Sequence, residues 1–159
     1  MPAIIRFIGT FAYTGFFPVV PATFASLVFA LAYFYIPGGE WLAHPLVALV
    51  TLVISVPVST QLEKRYGEDP SCVVIDEVVG MQVILLGAGG VTPGALAAAF
   101  FLFRFFDIAK PFPVGRSQRL PRGWGIVVDD VLAGIYTRAA LVLLGLIWPA
   151  ARVFAPWGS

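Results

Sequence analysis

Charge is scarce in this chain. Only 12% of its 159 residues are Asp, Glu, Lys or Arg, and the formal net charge is +1. Soluble domains carry about a quarter charged residues, and so balanced a charge leaves no footprint for nucleic acid. Cysteine and histidine are almost missing. Cys72 is single, which excludes an intrachain disulfide framework. The opening MPAIIRFIGTFAYTGFF has no basic n-region before a short apolar core and a small-residue cleavage site, so no cleaved signal peptide is expected. Several catalytic signatures are missing too: a Cys with an Arg six residues on, Asp-x-Asp-x-Thr, Gly-x-Ser-x-Gly and a Walker-type loop. Chemistry by a thiol, a histidine or a serine triad is therefore not expected.

What the chain has instead is apolar surface. Hydrophobic residues make up 59% of it and the mean hydropathy is +0.90, the composition of a small integral membrane protein. Within that background the run Val73–Met81, VVIDEVVGM, sets Asp76 and Glu77 side by side at the mouth of an apolar stretch. Ionised groups there are costly unless a cation, a partner charge or water meets them. Gly80 follows Asp76 by four residues, so on a helix it shares the same face and lets a backbone or ligand come close. Val127–Gly134 repeats the pattern Val-Val-x-Asp-x-x-x-Gly, again with a second acid, Asp129 beside Asp130.

In chain order, Tyr13–Ser26 reads as turn-rich, interrupted by Pro18 and Pro21 and carrying Thr14, Thr23 and Ser26. The apolar run from about Phe17 to Ile36 is long enough to span, with a re-entrant first part as the alternative. Trp41–Leu62 reads as a second span and Glu63–Ser71 as an exposed loop. The run Val73–Leu86 closes at Gly87. Thr92 and Pro93 have the form of an N-cap followed by proline at the first helical position, opening a helix that ends near Lys110-Pro111. Pro111–Trp124 reads as a basic loop, and a last helix runs from near Ile126 to about Trp148. The expectation is an all-α, single-domain, polytopic membrane bundle with about four spanning helices. If the N-terminal side is cytoplasmic, Arg6, Lys64, Arg65, Lys110, Arg116, Arg119 and Arg122 fall inside and Arg152 outside, as the positive-inside rule asks. Asp76, Glu77, Asp107, Asp129 and Asp130 then share the cytoplasmic face, with His44 on the opposite side.

A third constellation is Phe103–Pro113, FRFFDIAKPFP, where Arg104, Asp107 and Lys110 fall at steps of three on one helix face. Clustered carboxylates beside cations suit a divalent metal plus a phosphate, the oxygens holding hard Mg²⁺ and Arg or Lys binding the phosphate. Each element also has a structural reading. Asp76 and Asp129 could be N-caps, Arg104–Asp107–Lys110 an ion-pair ladder, and Arg116–Arg122 a topology signal. Arg138 could face the same interior, snorkel or bond between helices. Three polar clusters on one face of so uncharged a chain argue against a purely structural role for all of them.

These stretches, with PVVPATFAS at Pro18–Ser26, carry a resemblance. In their order and spacing, and over most of the chain, they resemble the phosphatidylglycerophosphatase A family of Mg²⁺-dependent membrane phosphatases. The resemblance implies removal of the terminal phosphate of phosphatidylglycerophosphate at the cytoplasmic face of a bacterial inner membrane. It implies Asp76, Glu77, Asp129 and Asp130 as magnesium ligands with Asp107 close by, and Arg104 and Lys110 where substrate phosphate is met. Asp76, Asp130 and Lys110 are the residues expected to do the chemistry, though which acid activates water is open. Thr23 and Ser26 are further substrate-binding candidates, but Ala22 and Ala25 stand where the family resembles Pro-Gly-Thr-x-Gly-Ser. Alanine resists the positive φ of a tight phosphate-cradling loop, whereas a helix N-terminus would tolerate it. The alternatives are a small cation transporter or channel subunit, and a lipid phosphotransferase. Gly80, Gly134 and Gly145 permit close helix contacts within one chain or between two, so a homo-oligomer stays open.

Overall fold

The computed structural model describes residues 2–147. Among these residues seven helices follow one another: α1 (Ala3–Gly9), α2 (Pro21–Tyr35), α3 (Pro45–Tyr66), α4 (Ile75–Leu85), α5 (Pro93–Ala109), α6 (Val114–Ser117) and α7 (Gly123–Ile147). Short 3₁₀ turns occur at Thr14–Phe16 and Gly39–Ala43, and no β-strand occurs among the described residues. The all-α expectation holds.

The number of spans is smaller than expected. Among the described residues only α3, with 22 residues, and α7, with 25, are long and apolar enough to cross a membrane. Most of each lies unburied, with Val53 and Leu143 on the outside, unlike the core helices of soluble proteins. The expected span from Phe17 to Ile36 shortens to α2, because the backbone turns at Val20 (φ 44°) and the helix starts on Pro21. Its 15 residues reach about 22 Å, against about 30 Å of hydrocarbon. The run Val73–Leu86 yields the 11-residue α4, of which all but Val83 is buried. Apart from Asp76, Glu77 and Gln82 it is apolar on every side, because protein surrounds it.

Several boundaries follow the sequence signals. Thr92 caps α5, its side chain accepting from the Ala95 amide at 3.2 Å, and Pro93 takes the first helical position. The helix stops at Lys110, which turns to φ 43° ahead of Pro111. Other boundaries differ. The charged segment Glu63–Tyr66 continues α3, where Lys64 and Arg65 complement the helix C-terminus, and the chain leaves at Gly67. The second span starts at Pro45, after a 3₁₀ turn over Trp41. The basic loop contains α6, and α7 starts at Gly123, whose amide donates to Thr60 Oγ1 at 3.1 Å. That bond sets the C-terminal end of α3 beside the N-terminal end of α7. His44 caps the far end of α3, its Nδ1 accepting from the Leu46 amide. Arg152 and Trp148 lie outside the described residues.

Candidate active site

The two copies of Val-Val-x-Asp-x-x-x-Gly meet. A Cβ built on Gly134 would lie 2.7 Å from the Gly80 carbonyl oxygen, and one on Gly80 would strike the Phe103 ring and come within 3.1 Å of the Asp130 carbonyl. The glycines are the contact at which α4 and α7 cross, so here they serve packing within one chain. One turn N-terminal to each lies an aspartate, and the crossing brings Asp76 and Asp130 to the same level. At α4 the first turn carries both acids, where the positive helix end favours them. Helix α5 runs the opposite way and delivers its C-terminal cations to the same end of the bundle.

Around this crossing the polar side chains interlock. Arg104 Nη1 donates to both Glu77 oxygens at 2.7 Å, and Nη2 pairs with Asp107 at 3.2 Å. Ser26 Oγ, from the sixth residue of α2, donates to Glu77 Oε2 at 2.8 Å. Lys110 Nζ pairs with Asp129 at 2.9 Å, while the other Asp129 oxygen accepts from the Asp130 amide. Burial disfavours the charge on Lys110, but the hydrogen bond to Asp129 and its field outweigh it and hold the ammonium above its ordinary range.

The residues singled out in the sequence converge with different roles. Ligand atoms of Glu77, Asp107 and Asp130 all lie within 4.8 Å of one another. Asp76 is buried beside them, and its Oδ1, like Asp130 Oδ2, has no hydrogen-bond partner among the described residues. Asp129 is buried and occupied by Lys110. The alternative of an ion-pair ladder over Arg104, Asp107 and Lys110 holds for its first step alone, since Lys110 leaves the helix for α7. Thr23 lies one turn before Ser26 on α2, half-buried. Ala22 and Ala25 sit inside that helix, so their φ needs no glycine.

Sequence reasoning missed the tie from Ser26 to Glu77, for which two residues 51 positions apart leave no local signal. It also left Arg138 unassigned. Arg138 Nη1 donates to the carbonyls of Val83, Ile84 and Leu86, the last at 2.6 Å, and so caps the end of α4 remote from the acids. Cys72 is a half-buried free thiol in the turn before α4.

Charge decides what the cluster can do. As carboxylates, Asp76, Glu77, Asp107, Asp129 and Asp130 face only Arg104 and Lys110 in the pairs described, which leaves a surplus of negative charge in a largely buried site. A surplus of that kind is costly without a further cation. The hard oxygen donors, their spacing and the two orphaned oxygens fit a small divalent ion.

Fold and site together define an apolar helical protein with a one-ended carboxylate centre flanked by cations, an arrangement suited to phosphate esters. Comparison with known proteins makes the class specific. Residues 7–145 match the family described as phosphatidylglycerophosphatase A. The chain is 39% identical over 138 residues to a putative phosphatidylinositol-3-phosphatase of Bacteroides thetaiotaomicron, covering 82% of this chain and 86% of that protein. It is 31% identical to phosphatidylglycerophosphatase A of Escherichia coli, covering 86% and 80%. With the Haemophilus influenzae protein of that name it shares 46% identity over 69 residues, 43% of this chain and 42% of the relative. No solved structure matches significantly. The chain belongs to the phosphatidylglycerophosphatase A family and is a phosphoric monoester hydrolase of phospholipid metabolism.

Proposed function

We propose that this protein hydrolyses phosphatidylglycerophosphate to phosphatidylglycerol and inorganic phosphate, with Mg²⁺ held by Glu77, Asp107 and Asp130 and by the unpartnered oxygen of Asp76. The observation that carries the reading is the pair of buried, orphaned carboxylate oxygens beside three grouped acids. When bound, the ion would screen the acids, polarise the phosphoryl oxygens and make bound water more acidic.

The chain's own residues supply the rest. Arg104 and Ser26 fix Glu77 in one orientation through both of its oxygens. Lys110, steadied by Asp129 and with 30% of its side chain exposed, is placed to meet the phosphate of an incoming headgroup. Thr23 stands on the same side of α2 as Ser26 for a further contact. Either Asp76 or Asp130 accepts the proton of the attacking water. The water oxygen forms the new bond to phosphorus as the bond from phosphorus to the ester oxygen breaks, and the protonated aspartate returns its proton to that oxygen, which leaves as the glycerol hydroxyl.

In this reading the protein is multi-pass in a bacterial inner membrane, with α3 and α7 spanning, the shorter α2, α4 and α5 completing the bundle, and the site open to the cytoplasm. Lys64, Arg65, Arg119 and Arg122 are at or near the helix ends that meet through Thr60 and Gly123, as cytoplasmic loops would require. A cation transporter would need polar groups continuing to the far side, and beyond Thr137 and Arg138 the stretch Leu141–Ile147 offers none.

The Bacteroides relative supports a second reading, in which the ester is an inositol lipid phosphate. Purified protein in mixed micelles with Mg²⁺ should release phosphate from phosphatidylglycerophosphate at least about tenfold faster than from phosphatidylinositol 3-phosphate. The reverse order would assign the second reading, and no release from either would remove both.

A further inference from the structure

Between α2 and α5 lies an open apolar groove of about 380 Å³. Leu27, Leu31 and Phe34 form one wall, Leu96 and Phe100 the other, and Ala97 leaves room between them. It begins where the polar site ends. Leu27 follows Ser26 directly, and Phe100 lies one helical turn before Arg104, about 6 Å along α5. From there it runs about 10 Å to Pro93.

We infer that this groove takes an acyl chain of the phospholipid substrate, so that the lipid enters sideways between α2 and α5 with its phosphate at Lys110. The inference rests on the phosphatase reading and deepens it. Two features point to a chain of the substrate. An amphiphile has a charged end joined to hydrocarbon, and here the apolar channel ends at Phe100, one helical turn from Arg104 on the same face of α5. The groove is also open along its length, with Leu31 45% and Phe101 69% exposed, so a chain can slide in from the side without threading.

The binding test uses phosphatidylglycerophosphate carrying a diazirine in one acyl chain, incubated with the protein without Mg²⁺ and photolysed. Labelling should concentrate on peptides from α2 and α5 and fall when unlabelled lipid competes. Labelling spread evenly over the outer faces of α3 and α7, or unaffected by competitor, would overturn the groove.

The kinetic test uses Ala97→Trp, which fills the groove from an exposed position, with Val53→Trp on the outer face of α3 as control. Ala97→Trp should lower kcat/KM for the long-chain lipid at least tenfold and leave that for a water-soluble short-chain analogue within twofold, with Val53→Trp changing neither. Equal loss on both substrates, or no loss, would contradict the proposal. Equal loss with a smaller oligomer on size exclusion would instead assign the groove to a second copy of the chain. Competed labelling with no hydrolysis would keep the groove and remove the phosphatase reading.

Discussion

Gly134→Ala puts the crossing of α4 and α7 to the test. The new methyl would sit 2.7 Å from the Gly80 carbonyl oxygen and 3.2 Å from Val83 Cβ, whereas ordinary contact begins at 3.4 Å. The first obstacle is backbone, which cannot rotate away, so the helices must part by about 0.7 Å. Overpacking on this scale costs about 1–3 kcal/mol, a fall of a few degrees in Tm. The functional cost is expected to be larger. Asp130 lies one turn from Gly134 and Asp76 one turn from Gly80, so parting the crossing moves the two orphaned oxygens relative to each other. Misplacement of reacting groups by about 1 Å can cost about 10²-fold in rate, and we expect kcat to fall by about tenfold to a hundredfold. Gly94→Ala is the comparison, because a Cβ at Gly94 in α5 meets nothing within 4 Å. It should leave activity unchanged and Tm unchanged or slightly higher. Thermal melts and phosphate release on the two variants decide the matter. Gly134→Ala with the melting and rate of the parent would refute the tight crossing as the source of the site's geometry.

Further outcomes follow from the ion pairs and caps. Arg104→Met leaves Glu77 and Asp107 without their shared cation, and should lower stability by about 3–5 kcal/mol. Adding Glu77→Leu should recover part of that stability in a denaturant melt and none of the activity. Lys110→Met should cut kcat/KM by about 10²-fold, as loss of a charged phosphate contact does, and should also lower Tm, because buried Asp129 loses its cation; unaltered kinetics would remove Lys110 from the substrate site. Arg138→Leu strips the carbonyl cap from α4 and should cost about 1–3 kcal/mol in a melt. The KM of its folded fraction should stay that of the parent.

The parts of this architecture that were legible in the sequence are those with local causes. Thr92-Pro93 announced the start of α5, and Lys110-Pro111 its end. The repeated Val-Val-x-Asp-x-x-x-Gly marked a face on each of two helices, and the structure sets those faces against each other. The count of spans was not legible, because hydropathy does not distinguish lipid from protein as the apolar surroundings of a helix. Helix α4 is as apolar as a span and is enclosed by its own bundle. The division of labour among the acids was hidden for a different reason. Asp129 and Asp130 are neighbours in sequence, yet one is held by Lys110 and the other keeps an unpartnered oxygen. Only the direction in which Lys110 leaves α5 separates them.

The most direct test of the proposed centre is phosphate release from phosphatidylglycerophosphate by the purified protein, with and without Mg²⁺, alongside Asp76→Asn and Asp130→Asn. The account predicts release that requires the ion and is lost in both variants while their melting curves stay cooperative. Release that persists in a chelator, or that survives both substitutions, would contradict it.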